Sequence, residues 1–237
     1  MIEISNVEVF GWEAAIRGMR NPKNSWDKSD SRWIDFEDYD GGGFPDGQGS
    51  AYVIGPNDLK LMKNLANAGD DHGKFLRMIT VTADVVAPLY WWKEFDTYKV
   101  GTVANSCSTM HKIHEKKFTL GDFSCEHLDD VYEADDKNVV YYNGEYANSP
   151  FEVLEFTVDA LNKYRNSYLE TKEKRYWWMM IQLLPSSYNQ RRTVQLNYAV
   201  LKNMYHSRRF HKLDEWRDFC AWIKTLPYSD LITGEEN

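Results

Sequence analysis

Residues 78–112 read MITVTADVVAPLYWWKEFDTYKVGTVANSCSTMHK. Between positions 79 and 87 apolar side chains alternate with polar ones, a pattern that predicts a strand with one buried face. Pro88 ends this strand, and the aromatic residues of 89–99 predict the beginning of a helix. The run 101–109 is small and polar, with hydroxyls, an amide and a thiol that suit the binding of a phosphate or a base edge. A plain Ser/Thr loop accounts for the same composition, and composition alone favours it.

The rest of the chain predicts a few strands and many helices. Residues 2–9 predict a short strand, and residues 57–68 predict a helix with Asn57 as its N-cap and Gly69 as its end. Ser149-Pro150 places a cap residue and then a proline at the start of another helix. Further helices are predicted over 12–20, 176–184, 189–207 and 213–225. This mixture indicates a single domain of the α/β (α+β) class over residues 1–237.

The charge of the chain is unevenly distributed. Its 237 residues carry a formal net charge of -8, with seven acids in 27–46 and eight in 121–146. Segments 21–50 and 121–148 are therefore predicted to be acidic, loop-rich insertions. The acidic total argues against a long nucleic acid as a partner. No apolar stretch is long enough for a membrane span, so no membrane partner is expected, and the first residues do not have the pattern of a signal peptide.

Cysteine and histidine are sparse. The three cysteines have neither metal-binding nor redox spacing, which indicates a reducing compartment, and we expect a cytoplasmic protein. His111 and His114 have only Glu115 as a close acidic neighbour in sequence, so no metal site is predicted.

Segment 72–112 resembles the signature region of the flavin-dependent thymidylate synthases. That family has a strand, an Ala-Pro pair, an aromatic helix and then the pattern RHRxxSxNExSxRY. Here Ala87-Pro88 matches the pair, and the pattern falls on 97–110. Lys99 replaces an arginine of the pattern, and Thr102 replaces a serine. Cys107 replaces the serine near the substrate base. His72 falls where the family has a histidine near the flavin.

A second segment, 184–225, supports the resemblance. The family has a Leu-Pro pair, an asparagine twelve residues later, and then a helix with an asparagine and an arginine. Leu184-Pro185 is followed at those positions by Asn197, Asn203 and Arg208. The two segments together carry a net charge of +7. A local basic pocket for a small phosphorylated ligand is therefore compatible with the acidic total.

The resemblance implies the reductive methylation of a pyrimidine deoxynucleotide, dUMP or a variant of it, with folate as the carbon donor and FAD as the cofactor. It also implies a homo-oligomer, namely a tetramer. The residues that it assigns to the flavin are His72, Lys99, Thr102, Asn197 and Asn203. Those that it assigns to the nucleotide are Asn105, Ser106, Cys107 and Arg208, with Cys107 and Arg208 as the catalytic candidates.

Several charged positions of the family are changed in this sequence. Thr97, Thr109, Ala199 and Ile181 stand where the family has arginines that contact the flavin or the nucleotide. Lys99 keeps a charge but does not have the planar fork of arginine. Each lost phosphate contact costs about 1.5–3 kcal/mol, which weighs against FAD and ordinary dUMP unless other residues compensate. The alternative is a non-catalytic nucleotide-binding protein on the same scaffold, which senses or sequesters a nucleotide signal. A third possibility is an interaction protein.

Three of these features also have plain structural interpretations. The spacing that places Asn197 and Arg208 on one helix face with Leu201 and Met204 is also that of an amphipathic packing face with the two polar residues at its margins. Cys107 is a candidate nucleophile or a small buried hydrophobe. The pairs Trp91-Trp92 and Trp177-Trp178 could stack on a flavin, a base or a sugar, but we expect one member of each pair in the core.

Overall fold

The computed structural model describes residues 2–35, 50–128, 140–142, 144–147 and 149–234. In chain order its strands are β1 (Glu3–Phe10), β2 (Arg32–Asp35), β3 (Ser50–Val53), β4 (Thr80–Pro88), β5 (Val103–Ser106), β6 (Val140–Tyr142), β7 (Glu145–Ala147) and β8 (Asn189–Asn197). Its α-helices are α1 (Trp12–Arg20), α2 (Pro56–Asn67), α3 (Leu89–Phe95), α4 (Pro150–Thr171), α5 (Lys174–Leu183), α6 (Tyr198–Arg208), α7 (Asp214–Ile223) and α8 (Asp230–Thr233). This mixture confirms the predicted α/β (α+β) class.

The largest sheet has four strands in the order β1-β4-β8-β5. Strand β4 confirms the alternation seen in the sequence, because its odd-numbered residues from Val81 to Ala87 are buried while the intervening residues are only half-buried. Strand β5 lies at an edge of the sheet, and all four of its residues are exposed. Two antiparallel pairs, β2 with β3 and β6 with β7, form separate two-stranded sheets.

Strand β8 overturns part of a sequence prediction. Residues 189–197 were expected to begin a helix, but they form a strand in which Gln190, Val194 and Leu196 are buried at a period of two. The helix starts only after Asn197, whose side-chain Oδ1 accepts a hydrogen bond from the backbone N–H of Val200 at 3.0 Å. Hydrogen bonding within the sheet therefore wins over the helix propensity of the arginine and glutamine residues in this stretch.

Two helix ends also differ from prediction. Asn57 is not the N-cap of α2, because the helix begins at Pro56 and Gly55 precedes it. The carboxylate of Asp30 accepts hydrogen bonds from the backbone N–H groups of Asn57 and Asp58, at 2.9 and 3.0 Å. Helix α3 stops at Phe95, short of the expected 99. The predicted start of α4 is confirmed, since Ser149 Oγ accepts a hydrogen bond from the N–H of Glu152 at 3.1 Å.

The chain divides into two compact units. Unit 1 contains Met1–Ile4, Val85–Thr97 and Asn105–Thr193, and unit 2 contains Ser5–Asp84, Tyr98–Ala104 and Val194–Asn237. The single-domain interpretation and the two acidic insertions stay predictions, and parts of those insertions, 36–49 and 129–139, lie outside the described residues.

Unit 1 has its core where α4 packs against α5. The buried cluster there consists of Ile113, Phe118, Phe123, Leu154, Val158, Leu161 and Met180. Trp91 and Trp92 are both fully buried, so the expectation of one core member is wrong for this pair. In the second pair, Trp177 is partly buried against this cluster while Trp178 is 44% exposed, which agrees with the expectation of one core member.

Unit 2 is built around α6, which contacts α7, α8 and the 3-10 helix Gly73–Met78. Its buried interior includes an ion pair, in which Arg20 Nε donates to Asp58 Oδ1 at 2.6 Å. The hydroxyls of Ser29 and Ser31 donate to the other oxygen of Asp58 at 2.7 and 2.6 Å. Burial alone would raise the pKa of Asp58, but hydrogen bonds from Ser31, Ser29 and Arg20 and the charge of Arg20 outweigh it and lower that pKa.

Across the described parts of the chain, no helix combines the length and the apolar character that crossing a bilayer requires.

Candidate functional site

In unit 2, the segment 98–104 lies against the beginning of α6 at Gly101. The φ angle of Gly101 is +79°, and a Cβ atom there would lie 2.7 Å from Asn197 Nδ2 and 3.0 Å from Val200 Cγ2. Because Asn197 is fixed as the cap of α6, a larger residue could not be accommodated by moving its side chain without losing the cap. Glycine therefore allows the close approach of the segment to Asn197.

Two further predicted flavin residues lie on this segment. The hydroxyl of Thr102, which is half-buried, donates a hydrogen bond to the backbone carbonyl of Tyr98. That bond closes the turn around Gly101, so the hydroxyl proton of Thr102 is not available to donate a hydrogen bond to a ligand. The Lys99 side chain is exposed and forms no ion pair with another described residue.

Arg208, at the end of α6, is half-buried and held by two aromatic rings. Its Nε donates to Tyr98 Oη at 2.9 Å. Its guanidinium carbon lies 4.9 Å from the ring centroid of Trp216 and 5.6 Å from that of Tyr98. Leu201 and Met204 are buried while Asn197 and Arg208 are half-buried, so the packing-face interpretation, with the two polar residues at its margins, is also satisfied. The arginine thus keeps its charge at a partly exposed position while its side chain is held in place.

Several cations gather on this side of unit 2. Burial raises the pKa of the Cys220 thiol to about 11, and the charges of Arg208, Arg209 and Lys224 act in the opposite direction. All three are therefore close enough to the same buried thiol to affect it. These three cations share this side of unit 2 with the acidic first turn of α7, in which Glu215 is buried.

The remaining predicted flavin residues of unit 2 are not joined to this group. His72 is exposed and precedes the 3-10 helix Gly73–Met78. Asn203 is exposed on α6, and its Oδ1 accepts a hydrogen bond from Ser207 Oγ at 3.2 Å. Among the described residues, no hydrogen bond or ring contact links either of them to Asn197 or Arg208.

In unit 1, the predicted nucleotide residues follow one another along the end of β5. Asn105 and Ser106 are exposed, and so is Cys107. The backbone of Cys107 is held on both sides: its N–H donates to the carbonyl of Arg191 at 2.9 Å, and its carbonyl accepts from Gln190 Nε2 at 2.8 Å. The exposed thiol rules out the buried-hydrophobe interpretation of Cys107 and leaves it accessible to a ligand.

The basic pair Arg191-Arg192 divides between two environments. The Arg192 guanidinium lies 4.2 Å from the Trp92 ring centroid, and its NH1 donates to Asp96 Oδ1 at 2.7 Å. Asp96 therefore neutralises Arg192, which cannot replace a lost phosphate-binding arginine. Arg191, the preceding residue of β8, is exposed. Successive side chains of a strand point to opposite faces of the sheet, which explains the different environments. The helix predicted for this stretch does not predict this difference.

Tyr98 is the residue of this site that sequence reasoning missed. It stands at the second position of the motif, where no role was expected for it, and it binds Arg208 across 110 residues of chain. No local pattern marks such a pair. In the described part of the chain there is no group of three or more metal-binding side chains that could hold an ion.

Comparison with known proteins gives no match to a family model and none to a curated protein. Solved structures do match. The thymidylate synthase ThyX from Helicobacter pylori, in complex with FAD and dUMP, aligns with a TM-score of 0.62 and 16% identity over 99% of this chain and 98% of that one. A second structure of the flavin-dependent enzyme from that organism, also with FAD and dUMP, gives 0.60 and 18% over 97% and 99%.

A second enzyme has the same fold. The UMP/dUMP methylase PolB from Streptomyces cacaoi, bound to 5-Br dUMP, aligns with a TM-score of 0.56 and 16% identity over 99% of this chain and 95% of that one. These likenesses confirm the fold that the resemblance predicted: the chain has the fold of the flavin-dependent thymidylate synthases. At such low sequence identity, the similarity shows the fold and not the activity.

Proposed function

We propose that this chain, which has the fold of the flavin-dependent thymidylate synthases, binds a pyrimidine nucleoside monophosphate and methylates its base reductively with FAD and folate. The observation that carries the proposal is the fold likeness over nearly the whole chain to two enzymes whose structures hold dUMP or 5-Br dUMP. The guanidinium of Arg208, held by Tyr98 and Trp216, supplies a positive charge for such a ligand.

The residues that would hold FAD differ in whether their polar groups are already bonded within the protein. Thr102 and Asn197 use their hydrogen-bonding groups within the protein and shape the turn at Gly101. Lys99, His72 and Asn203 have exposed side chains with nitrogen donors. The turn at Gly101, which leaves no room for a Cβ atom beside Asn197, and the exposed Lys99 would fit part of FAD, with fewer charged anchors than the family's motif provides. When bound, FAD would supply the hydride chemistry, and these residues would position it.

The resemblance supplies two separate groups of nucleotide candidates, namely Arg208 in unit 2, and Asn105, Ser106 and Cys107 in unit 1. Arg208 would bind an anionic oxygen of the nucleotide through the guanidinium that Tyr98 and Trp216 hold in place. Asn105 and Ser106 offer an amide and a hydroxyl to a base or a sugar. Cys107 presents an exposed thiol whose backbone is fixed by Gln190 and Arg191, and it is the candidate nucleophile.

Binding of dUMP tests the nucleotide assignment. Arg208→Ala is expected to weaken dUMP binding about tenfold or more, the effect of losing one charge-assisted hydrogen bond. Arg217→Ala is the matched control, since it removes an arginine that is exposed on α7 and paired with Asp214. Isothermal titration should find dUMP affinity within about twofold of the original in the control. Equal losses in both variants would remove Arg208 from the site.

Incubation with FAD tests the flavin assignment. The purified protein should retain the visible absorbance of flavin after gel filtration, and with reduced FAD, a folate carbon donor and dUMP it should yield a nucleotide heavier by one methyl group. Lys99→Gln should weaken FAD binding, whereas Lys93→Gln, an exposed lysine on α3, should not. A colourless protein that does not bind added FAD would exclude the flavin-dependent reaction.

A second candidate is a protein that binds the nucleotide without chemistry. It is favoured by one observation: the side chain of Arg192, an arginine of β8 that could have replaced a lost phosphate-binding arginine, is already paired with Asp96. Thermal stabilisation by dUMP in a protein that fails to bind FAD would select this candidate.

A further inference from the structure

A chain of hydrogen-bonded side chains in unit 1, the Asp96–Arg192–Gln190 relay, ends at Cys107. Arg192 Nη1 donates to Asp96 Oδ1 at 2.7 Å, and Arg192 Nε donates to Gln190 Oε1 at 3.0 Å. Gln190 Nε2 then donates to the backbone carbonyl of Cys107 at 2.8 Å. The relay therefore connects a surface ion pair to a residue that the proposed function assigns to the nucleotide.

The two neighbours of Gln190 fix the orientation of its amide. The Nε atom of Arg192 can only donate a hydrogen bond, and the carbonyl oxygen of Cys107 can only accept one. Only the orientation with the amide oxygen towards Arg192 and the amide nitrogen towards Cys107 satisfies both. A flipped amide would lose both hydrogen bonds. Arg192 therefore determines which atom of Gln190 faces Cys107.

Trp92 holds the middle of the relay in place. Trp92 is fully buried, and its Nε1 donates to the backbone carbonyl of Gln190 at 2.9 Å. Its ring centroid lies 4.2 Å from the guanidinium carbon of Arg192. Gln190 is itself buried, with 7% of its surface exposed. The relay thus crosses a fixed aromatic ring before it reaches the exposed Cys107.

Hydrogen bonds to neighbouring residues of β8 hold both sides of the Cys107 backbone. Its N–H donates to the carbonyl of Arg191 at 2.9 Å, and its carbonyl accepts from Gln190. Cys107 is exposed, so packing contributes little to its position. Loss of the Gln190 bond would leave one of these two bonds.

We propose that Arg192 is a positioning residue, which acts through Gln190 to hold Cys107 in place for the nucleotide. Arg192 itself does not contact the ligand. The link to the nucleotide rests on the proposed function, whereas the relay does not depend on it. The relay also gives a role to an arginine whose charge is already paired with Asp96.

The test uses three variants that each lower the net charge by one. Arg192→Met removes the donor to Gln190 and keeps an unbranched side chain. Gln190→Glu keeps an acceptor for Arg192 but has no donor for Cys107. The matched control is Asn189→Asp, in the adjacent residue of β8. Asn189 Oδ1 accepts a hydrogen bond from Ser124 Oγ at 2.8 Å, and a carboxylate can accept the same bond.

Hydrogen exchange of the Cys107 N–H, followed by NMR, reports whether the relay holds this residue. It should be about tenfold faster in Arg192→Met and Gln190→Glu, the effect of losing one hydrogen bond, and within about twofold of the original in the control. The amides of α4 should keep their exchange rates, because only a general loss of stability would raise them. An unchanged rate in Arg192→Met, or an equal rise in the control or in α4, would overturn the inference. Arg192→Met decides the question by itself if Gln190→Glu does not fold.

Isothermal titration with dUMP tests what the relay does for the ligand. The affinity should fall about two- to tenfold in both relay variants, because the ligand then has to order Cys107, and it should be unchanged in the control. FAD affinity should be the same in all variants, since the flavin candidates lie in unit 2. Unchanged dUMP affinity in a variant whose Cys107 N–H exchanges faster would remove Arg192 from nucleotide binding. Failure of the original protein to bind dUMP would instead refute the proposed function, and the exchange rates would still decide whether the relay holds Cys107.

Discussion

Replacing Gly101 by alanine would add a methyl group at the point where segment 98–104 meets α6. The substitution would lower the free energy of unfolding in two ways. A residue other than glycine at a φ of +79° destabilises the folded state by about 1–2 kcal/mol through its backbone conformation alone. The new Cβ atom would also lie 2.7 Å from Asn197 Nδ2, and such overpacking costs about 1–3 kcal/mol more. We therefore expect Gly101→Ala to lower the free energy of unfolding by about 2–5 kcal/mol.

Gly69→Ala separates these two parts. Gly69 also has a positive φ, +100°, but a Cβ there would meet no atom within 4 Å. Its substitution should therefore cost only the backbone part, about 1–2 kcal/mol. The difference between the two variants is then the cost of the contact with Asn197.

Urea unfolding followed by both fluorescence and circular dichroism gives the two free energies, provided that the two probes coincide. If Gly101→Ala costs no more than Gly69→Ala, segment 98–104 does not press on the cap of α6. The account of the site around Asn197 would then be wrong.

Further perturbations test the buried ion pair and the thiols. Asp58→Asn leaves Arg20 buried without its carboxylate, so the free energy of unfolding should fall by about 3–5 kcal/mol in urea titrations at neutral pH; a change below 1 kcal/mol would contradict the buried pairing. Because the pKa of Asp58 is lowered in the folded state, its contribution is present above the unfolded pKa and is lost as pH falls through the folded pKa. Acid unfolding curves of the Asp58→Asn protein should accordingly depend less on pH than those of the original, and parallel curves would disprove this. Cys107 is exposed whereas the Cys220 thiol is buried with a pKa near 11, so a maleimide at neutral pH should modify Cys107 first, as peptide mass mapping can show; earlier labelling of Cys220 would contradict its burial.

Local patterns predicted the elements whose structure is decided locally. The alternation in β4 and the cap at Ser149 depend on neighbouring residues, and both are present as expected. The start of α2 depends instead on Asp30, which is distant in sequence, so the local pattern predicts the wrong cap, Asn57. Strand β8 was mistaken for a helix because its long polar residues favour helices, while only pairing with other strands makes it a strand.

The same division applies to the candidate site. Spacing placed Asn197 and Arg208 on one helix face, but it put Asn197 inside a helix predicted over 189–207, whereas Asn197 is the cap of α6 and Arg208 lies in its last turn. It could not show that Tyr98 binds Arg208, because that contact depends on the tertiary fold. Nor could it show that Asp96 neutralises Arg192, which decides whether this arginine can replace one that the family uses for phosphate.

The way Arg208 is held has a consequence for the entropy of binding. A flexible side chain that becomes ordered on a ligand loses about 0.5–1.5 kcal/mol of affinity. Tyr98 and Trp216 already restrict the rotamers of Arg208, so most of this loss occurs when the protein folds. Lys99 is exposed, so an anion that bound it would have to order its side chain. Of the two cations, Arg208 would therefore lose less of its electrostatic attraction to the entropy cost of binding an anion.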